Sequence, residues 1–156
     1  MRRLLACVLQ GLAVCALGWG LSQPTAAQDA AKLIEYRKNV MKSLGAHTAA
    51  IAAVVKGEVG LWHQVIVHAV AIDGVNRTIV ELFPPGTGSE AGDTRAKPEI
   101  WLQQQRFAEA ARQVSAQAAA LVAAAQRGDR QATATEFANL GRACGSCHET
   151  FRAEER

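Results

Sequence analysis

The sequence predicts an all-α fold, an antiparallel four-helix bundle. Three observations carry this expectation. Four stretches repeat their apolar residues at the helical period, no stretch shows sustained strand alternation, and the stretches are joined by short links except for one longer connection rich in Pro and Gly.

The chain opens on a short basic stretch, Met1-Arg2-Arg3. An apolar run from Leu4 to Leu21 follows, and then Ser22-Gln23-Pro24-Thr25-Ala26-Ala27. That order is the order of a secretory signal peptide, residues 1–27, with cleavage expected near Ala27. The run is just long enough to span a bilayer, but the small residues and the polar sequence after them favour removal, so no stable membrane insertion is expected after processing. Neither Cys7 nor Cys15 has a convincing lipoprotein context. One domain is expected over 28–156, in which Cys144 and Cys147 are the only thiols. Two thiols do not make the disulfide framework of a small secreted protein. Loss of Arg2 and Arg3 removes two of the three net positive charges, so nothing electrostatic argues for nucleic acid.

The first helix is expected from about 29 to 56. Ile34, Met41, Thr48 and Val55 recur every seven residues, Arg37, Leu44 and Ile51 fill the alternate positions of the same face, and Gly57 supplies a stop. Met41 is the only methionine of the mature chain, and His47 lies about 120° off its face, where a surface or partner role is expected. A second helix, about 59–82, carries Val65, Ile66, Ala69, Val70, Ile72 and Ile79 on a wide apolar face. His63 and His68 are expected towards solvent or at an interface, and Gly74 marks a weak point. Residues 84–97 are turn material, with Phe83 placed to fold over the core. Pro98 suits the first turn of a third helix, whose expected buried stripe is Ile100, Trp101, Ala108, Ala111, Ser115, Ala118, Val122 and Ala125. That stripe is poor in large residues and leaves volume to be filled. Gly128 ends this helix and Asp129 caps the next.

The fourth helix places Phe137, Leu140, Cys144, Cys147 and Phe151 on one inward face. It contains Cys144-Gly145-Ser146-Cys147-His148. In a Cys-x-x-Cys-His run two thiols can form thioethers with the vinyl groups of a haem, and the adjacent imidazole becomes an axial iron ligand. Three other readings are weaker. A redox dithiol opens a helix after a strand, but the sequence upstream of Cys144 is Ala-rich and helical. A zinc site completed by His63 and His68 needs two side chains that point about 140° apart on one helix. A plain disulfide leaves His148 without a role. The expected cofactor is therefore one covalently bound haem c, enclosed by the bundle, with Cys144 and Cys147 as thioether residues and His148 as the proximal ligand. Met41 is either core filler or the thioether ligand opposite His148. Arg37, one turn earlier, either meets a haem propionate or snorkels at the bundle edge. Phe83 contacts the haem or anchors its loop. Arg152, one turn beyond His148, either acts near the proximal face or complements the helix dipole.

In order along the chain, the secretory leader, Tyr36-Arg37 with Met41-Lys42, Val54-Val55-Lys56-Gly57, Phe83 followed by Pro-Gly-Thr, Asp93-Thr94-Arg95, Pro98-Glu99-Ile100-Trp101 and Cys144 to Arg152 resemble the cytochrome c′ family, the class II c-type cytochromes. The resemblance covers essentially the whole mature chain. It implies a periplasmic bacterial haem protein, often a homodimer through its first two helices. Typical members have an apolar residue at the position of Met41 and a five-coordinate haem that takes up nitric oxide or carbon monoxide. With Met41 there, the sequence is closer to the low-spin branch, in which a first-helix methionine is the sixth ligand. The expected function is thus a single-electron carrier with a six-coordinate His148/Met41 haem, exchanging electrons with redox partner proteins. The alternative is a five-coordinate protein that binds nitric oxide or carbon monoxide. No acid–base or nucleophile constellation suggests an enzyme.

Overall fold

The computed structural model describes residues 26–154, so all but the end of the expected leader lies outside the described residues. Helix α1 (Ala26–Val55) presents Ile34, Arg37, Ile51 and Val54 to the interior. It stops at Gly57, where φ is +79°, while the N–H groups of Gly57 and Glu58 fold back onto the carbonyls of Val54 and Ala53 at 3.0 and 2.9 Å. Only glycine takes that conformation without strain, and the two bonds occupy carbonyls that the helix end would leave unpaired.

Helix α2 is shorter than the sequence suggests, Trp62–Asn76, and is followed by a 3-10 turn over Ile79–Leu82. The side chain of Asn76 is buried and donates to the Ile72 carbonyl at 2.8 Å, a local bond that competes with continuation of the helix. Gly74 does not interrupt α2. The expected third helix is two helices. Pro98 stands just before α3 (Glu99–Leu102), and Gln103, with φ −125° and ψ 50°, separates α3 from α4 (Gln104–Gln126). The Trp101 indole N–H ties α3 to the preceding loop through the carbonyls of Phe83 and Pro84, both at 3.1 Å.

The break changes which face of α4 is inside. Phe107, Ala111, Val114, Ala118, Leu121 and Ala124 are buried, whereas Ala108, Ser115, Val122 and Ala125 are only half-buried. Of the expected stripe Ala111 and Ala118 are buried as expected, while the other four α4 positions give way to their preceding neighbours Phe107, Val114, Leu121 and Ala124. Helix α5 (Arg130–Phe151) begins as expected. Gly128 has φ +68°, and the Asp129 carboxylate accepts from the Ala132 N–H at 2.9 Å.

Helix α1 packs along α2, α2 along α4 and α4 along α5, while α1 and α5 touch only slightly. One apolar cluster joins all four long helices through Ile51, Val54, Val65, Ala69, Ile72, Val114, Ala118, Leu121 and Leu140. A smaller one, Ile100, Phe107 and Phe151, lies at the end where the loop returns. Among the described residues there is no strand, only an isolated antiparallel bridge between Ala96 and Arg152, and no helix long and apolar enough to cross a membrane.

Candidate haem site

The pentapeptide occupies the last turns of α5. Cys144 and Cys147 are both free thiols and half-buried. Cys147 packs against both apolar clusters, with Cys144 and Phe137 against the larger. Burial raises both thiol pKa values, for Cys147 with the neighbouring Cys144 adding to the effect, so both stay protonated near neutral pH. The His148 pKa is lowered, first by burial and then by the positive charges of Arg152 and Arg95. A neutral imidazole is what an iron ligand requires, and the two arginines favour it. The charge of Arg152 thus reaches His148, although its own side chain is exposed.

Facing these groups, the loop between the 3-10 turn and α3 is pinned to both ends of the fold. At the α5 end, Lys97 N–H donates to the Phe151 carbonyl at 3.0 Å and Ala153 N–H to the Arg95 carbonyl at 2.8 Å. At the α1 end, Arg37 is 2 % exposed and donates from Nη1 to the Leu82 carbonyl and Thr87 Oγ1, both at 3.2 Å. Its Nη2 donates to the Thr87 carbonyl at 2.9 Å and to Thr94 Oγ1 at 2.8 Å. Its Cζ lies 4.5 Å from the centre of the Phe83 ring, close enough for cation–π attraction. The reading of Arg37 as a snorkelling edge residue is therefore corrected, because the seven-residue spacing gives the face of the helix and not the depth of the groove.

Four of the five guanidinium donors are spent on neutral oxygens, leaving Nε–H. Burial lowers the Arg37 pKa, a mark of a cation held without full compensation, and a propionate is an anion of the kind such a group accepts. Phe83 is half-buried and joins the smaller cluster, edge-on to Phe107 at 5.0 Å, with Phe107 edge-on to Phe151 at 5.1 Å. The structure thus brings Cys147, Phe83, Trp101 and Phe151 together around one cluster and hangs Arg37 above it. Met41, one turn after Arg37, is half-buried and stands outside both clusters among the described residues.

These residues fit a haem. Two free thiols and a neutral imidazole sit on one helix, apolar and aromatic side chains surround one of the thiols, and among the described residues the buried guanidinium is bound to neutral oxygens only. The slight contact between α1 and α5 leaves the bundle's own side chains doing little to close that seam.

Sequence reasoning missed Trp101 as the post that holds Phe83 and Pro84, although its place three residues after Pro98 was visible. Of the two positions left open for His68, solvent or interface, the structure gives the second, half-buried against His47. The register that pairs them comes from the α1–α2 turn.

Residues 32–152 match the family model for cytochrome C′. A cytochrome c′ of Pararhodospirillum photometricum is 38 % identical over 119 residues, 76 % of this chain and 94 % of that protein. A cytochrome c-556 of Agrobacterium tumefaciens is 34 % identical over 123 residues, 78 % and 98 % of the two chains. Among solved structures, the nitric oxide complex of a variant cytochrome c prime from Alcaligenes xylosoxidans superposes with a TM-score of 0.73 at 25 % identity, covering 83 % of this chain and 97 % of that one. A cytochrome c′ described by its ligand-controlled dimer dissociation also gives 0.73, at 31 % identity, covering 79 % and 95 %. A covalent-haem motif on the last helix of this bundle and a match across nearly all of the described residues lead to one conclusion: the chain belongs to the cytochrome c′ family and is a c-type cytochrome carrying one haem c.

Proposed function

We propose that this protein binds nitric oxide or carbon monoxide at the open face of a five-coordinate haem. What carries this reading is the likeness to cytochromes c′ over nearly the whole described chain, together with a solved relative in complex with nitric oxide. It ranks above the carrier expected from Met41. The haem supplies an iron that binds diatomic gases and exchanges one electron. Cys144 and Cys147 would anchor it, His148 would hold the iron from one side, and Arg37 would offer Nε–H to a propionate. Phe83 would pack against the macrocycle, and Arg152 would keep positive charge near the proximal imidazole. That charge disfavours further positive charge at the site and so supports the ferrous state, the form that takes up carbon monoxide.

A second reading is a single-electron carrier in which Met41 is the sixth ligand, serving redox partner proteins. Its support is that Met41 is half-buried, lies one turn after the buried Arg37 and belongs to neither apolar cluster, so its thioether is not committed to the core. The ferric absorption spectrum separates the two. Gas binding predicts a high-spin haem that takes up carbon monoxide on reduction, with Met41→Leu changing the ferric spectrum little. A low-spin spectrum with a far-red methionine-to-iron band that disappears in Met41→Leu would sink that proposal in favour of the carrier.

We further propose secretion to the periplasm after cleavage near Ala27, and a homodimer through α1 and α2. Val67 and Val70 are 56 and 50 % exposed on the outer face of α2, with Leu61 at 51 % before it and Tyr36 at 59 % on α1. Apolar exposure at this helical spacing suits a partner helix. In sedimentation experiments Val67→Glu with Val70→Glu should yield monomer where the parent is a dimer, without altering the haem spectrum. A parent that sediments as a monomer at all concentrations tested refutes the dimer.

A further inference from the structure

Midway along the α1–α2 hairpin, two imidazoles that the haem site does not use face each other. His47 Nδ1 on α1 and His68 Nδ1 on α2 are 2.9 Å apart, with ring centroids 5.2 Å apart and an interplanar angle of 47°. The centroid separation exceeds the nitrogen separation by about twice the radius of an imidazole ring, so the N···N line runs nearly along both rings. Such a head-on pair is joined by one proton, with one ring donating and the other accepting. Both rings are half-buried, within reach of water but held by their helices.

We propose that His47 and His68 are a two-imidazole clamp for a divalent transition metal of the nickel or copper kind, with water completing the coordination. Imidazole nitrogen is a preferred ligand for these ions, and here two copies of it, from different helices, already converge. At a metal–nitrogen distance of about 2.0–2.1 Å, nitrogens 2.9 Å apart subtend about 90° at the metal. That is the cis angle of square-planar or octahedral coordination, narrower than the tetrahedral angle preferred by zinc. Binding requires each ring to tilt so that its lone pair points beside the N···N line, and the shared proton to move to the Nε2 of the donor ring, so that both neutral rings present Nδ1 to the ion. Protonation of either ring competes with the ion, so affinity should fall as the solution is acidified.

Among the described residues no group of three or more His, Cys, Asp or Glu gathers around a possible metal, so the clamp has two protein ligands and a readily exchanged ion. The bound ion would staple α1, which carries Arg37 and Met41, to α2.

Ni2+ is the suitable probe, because it does not exchange electrons with the haem under ordinary conditions. Titrated by calorimetry into the haem-loaded protein above neutral pH, it should bind one ion per chain and raise the thermal midpoint, reversibly on chelation. His47→Gln and His68→Gln should each weaken binding about tenfold or more and abolish the rise in midpoint, with unchanged helix content and haem spectrum. His63→Gln, an exposed histidine on the same helix, should leave both intact. The proposal is overturned if the wild-type protein shows no saturable binding, if binding survives either pair substitution, or if it depends on His63. The wild-type titration and its midpoint decide the matter even if a variant folds poorly.

Discussion

With Cys144 and Cys147 both replaced by serine, haem retained by the polypeptide under denaturing conditions will fall to background, while the parent keeps it. The intact mass of the parent should equal the chain from Gln28 plus one haem, and that of the variant the chain alone. The larger consequence is for stability. A tether holds its ligand at an effective concentration of roughly millimolar. If the untethered haem bound with an affinity of about 1 μM, the linkage would contribute about 4 kcal/mol to folding. The seam that would feel the loss is the one between α1 and α5, which touch only slightly. The other three helix contacts share the larger apolar cluster. The serine variant should therefore remain helical while unfolding at much lower urea concentration and less cooperatively. A variant that matches the parent in both midpoint and cooperativity would show that the polypeptide core suffices without the cofactor.

The features legible in the sequence are those fixed by neighbours along the chain. Gly57, Gly128 and Asp129 act within one turn of themselves and punctuate the helices as expected. The pentapeptide is likewise local, and its spacing on a helix puts both thiols beside the core. Expectations failed where a distant contact resets the local pattern. At Gln103 the chain leaves helical geometry because α3 is drawn to the loop through Trp101, and four of the expected inward positions of α4 move by one while Ala111 and Ala118 stay. The larger residues Phe107, Val114 and Leu121 become core as a result, so the volume expected to be left by an alanine stripe is partly filled by the protein. The His47–His68 contact depended on the register of two antiparallel helices, which no single-helix period encodes. Arg37 was on the right face, but its acceptors lie 45 to 57 residues away in an irregular segment.

Arg37→Leu should be the most disruptive single substitution where α1 meets the loop. The wild-type guanidinium binds three residues of the loop region, Leu82, Thr87 and Thr94, and stacks on a fourth, Phe83. Leucine removes the cost of burying a cation, but it strands acceptors in a site where Thr87 is itself 3 % exposed. Each stranded buried group costs about 1–3 kcal/mol, partly offset by the charge no longer desolvated, so a net loss of about 2–4 kcal/mol is expected. Arg37→Lys should recover little of it, because an ammonium offers its donors from a single nitrogen and cannot span the Leu82, Thr87 and Thr94 oxygens as the planar fork does. The surface pair Lys38–Asp93, at 3.0 Å, ties the same segments but lies in solvent and should contribute little. Urea unfolding of the haem-loaded protein measures the loss, and limited proteolysis locates it. Cleavage should appear between Phe83 and Pro98 in Arg37→Leu and in Arg37→Lys, and should be nearly absent in Lys38→Ala. If Arg37→Lys were as stable and as protected as the parent, charge alone would be holding the loop, and the fork geometry would be irrelevant to it.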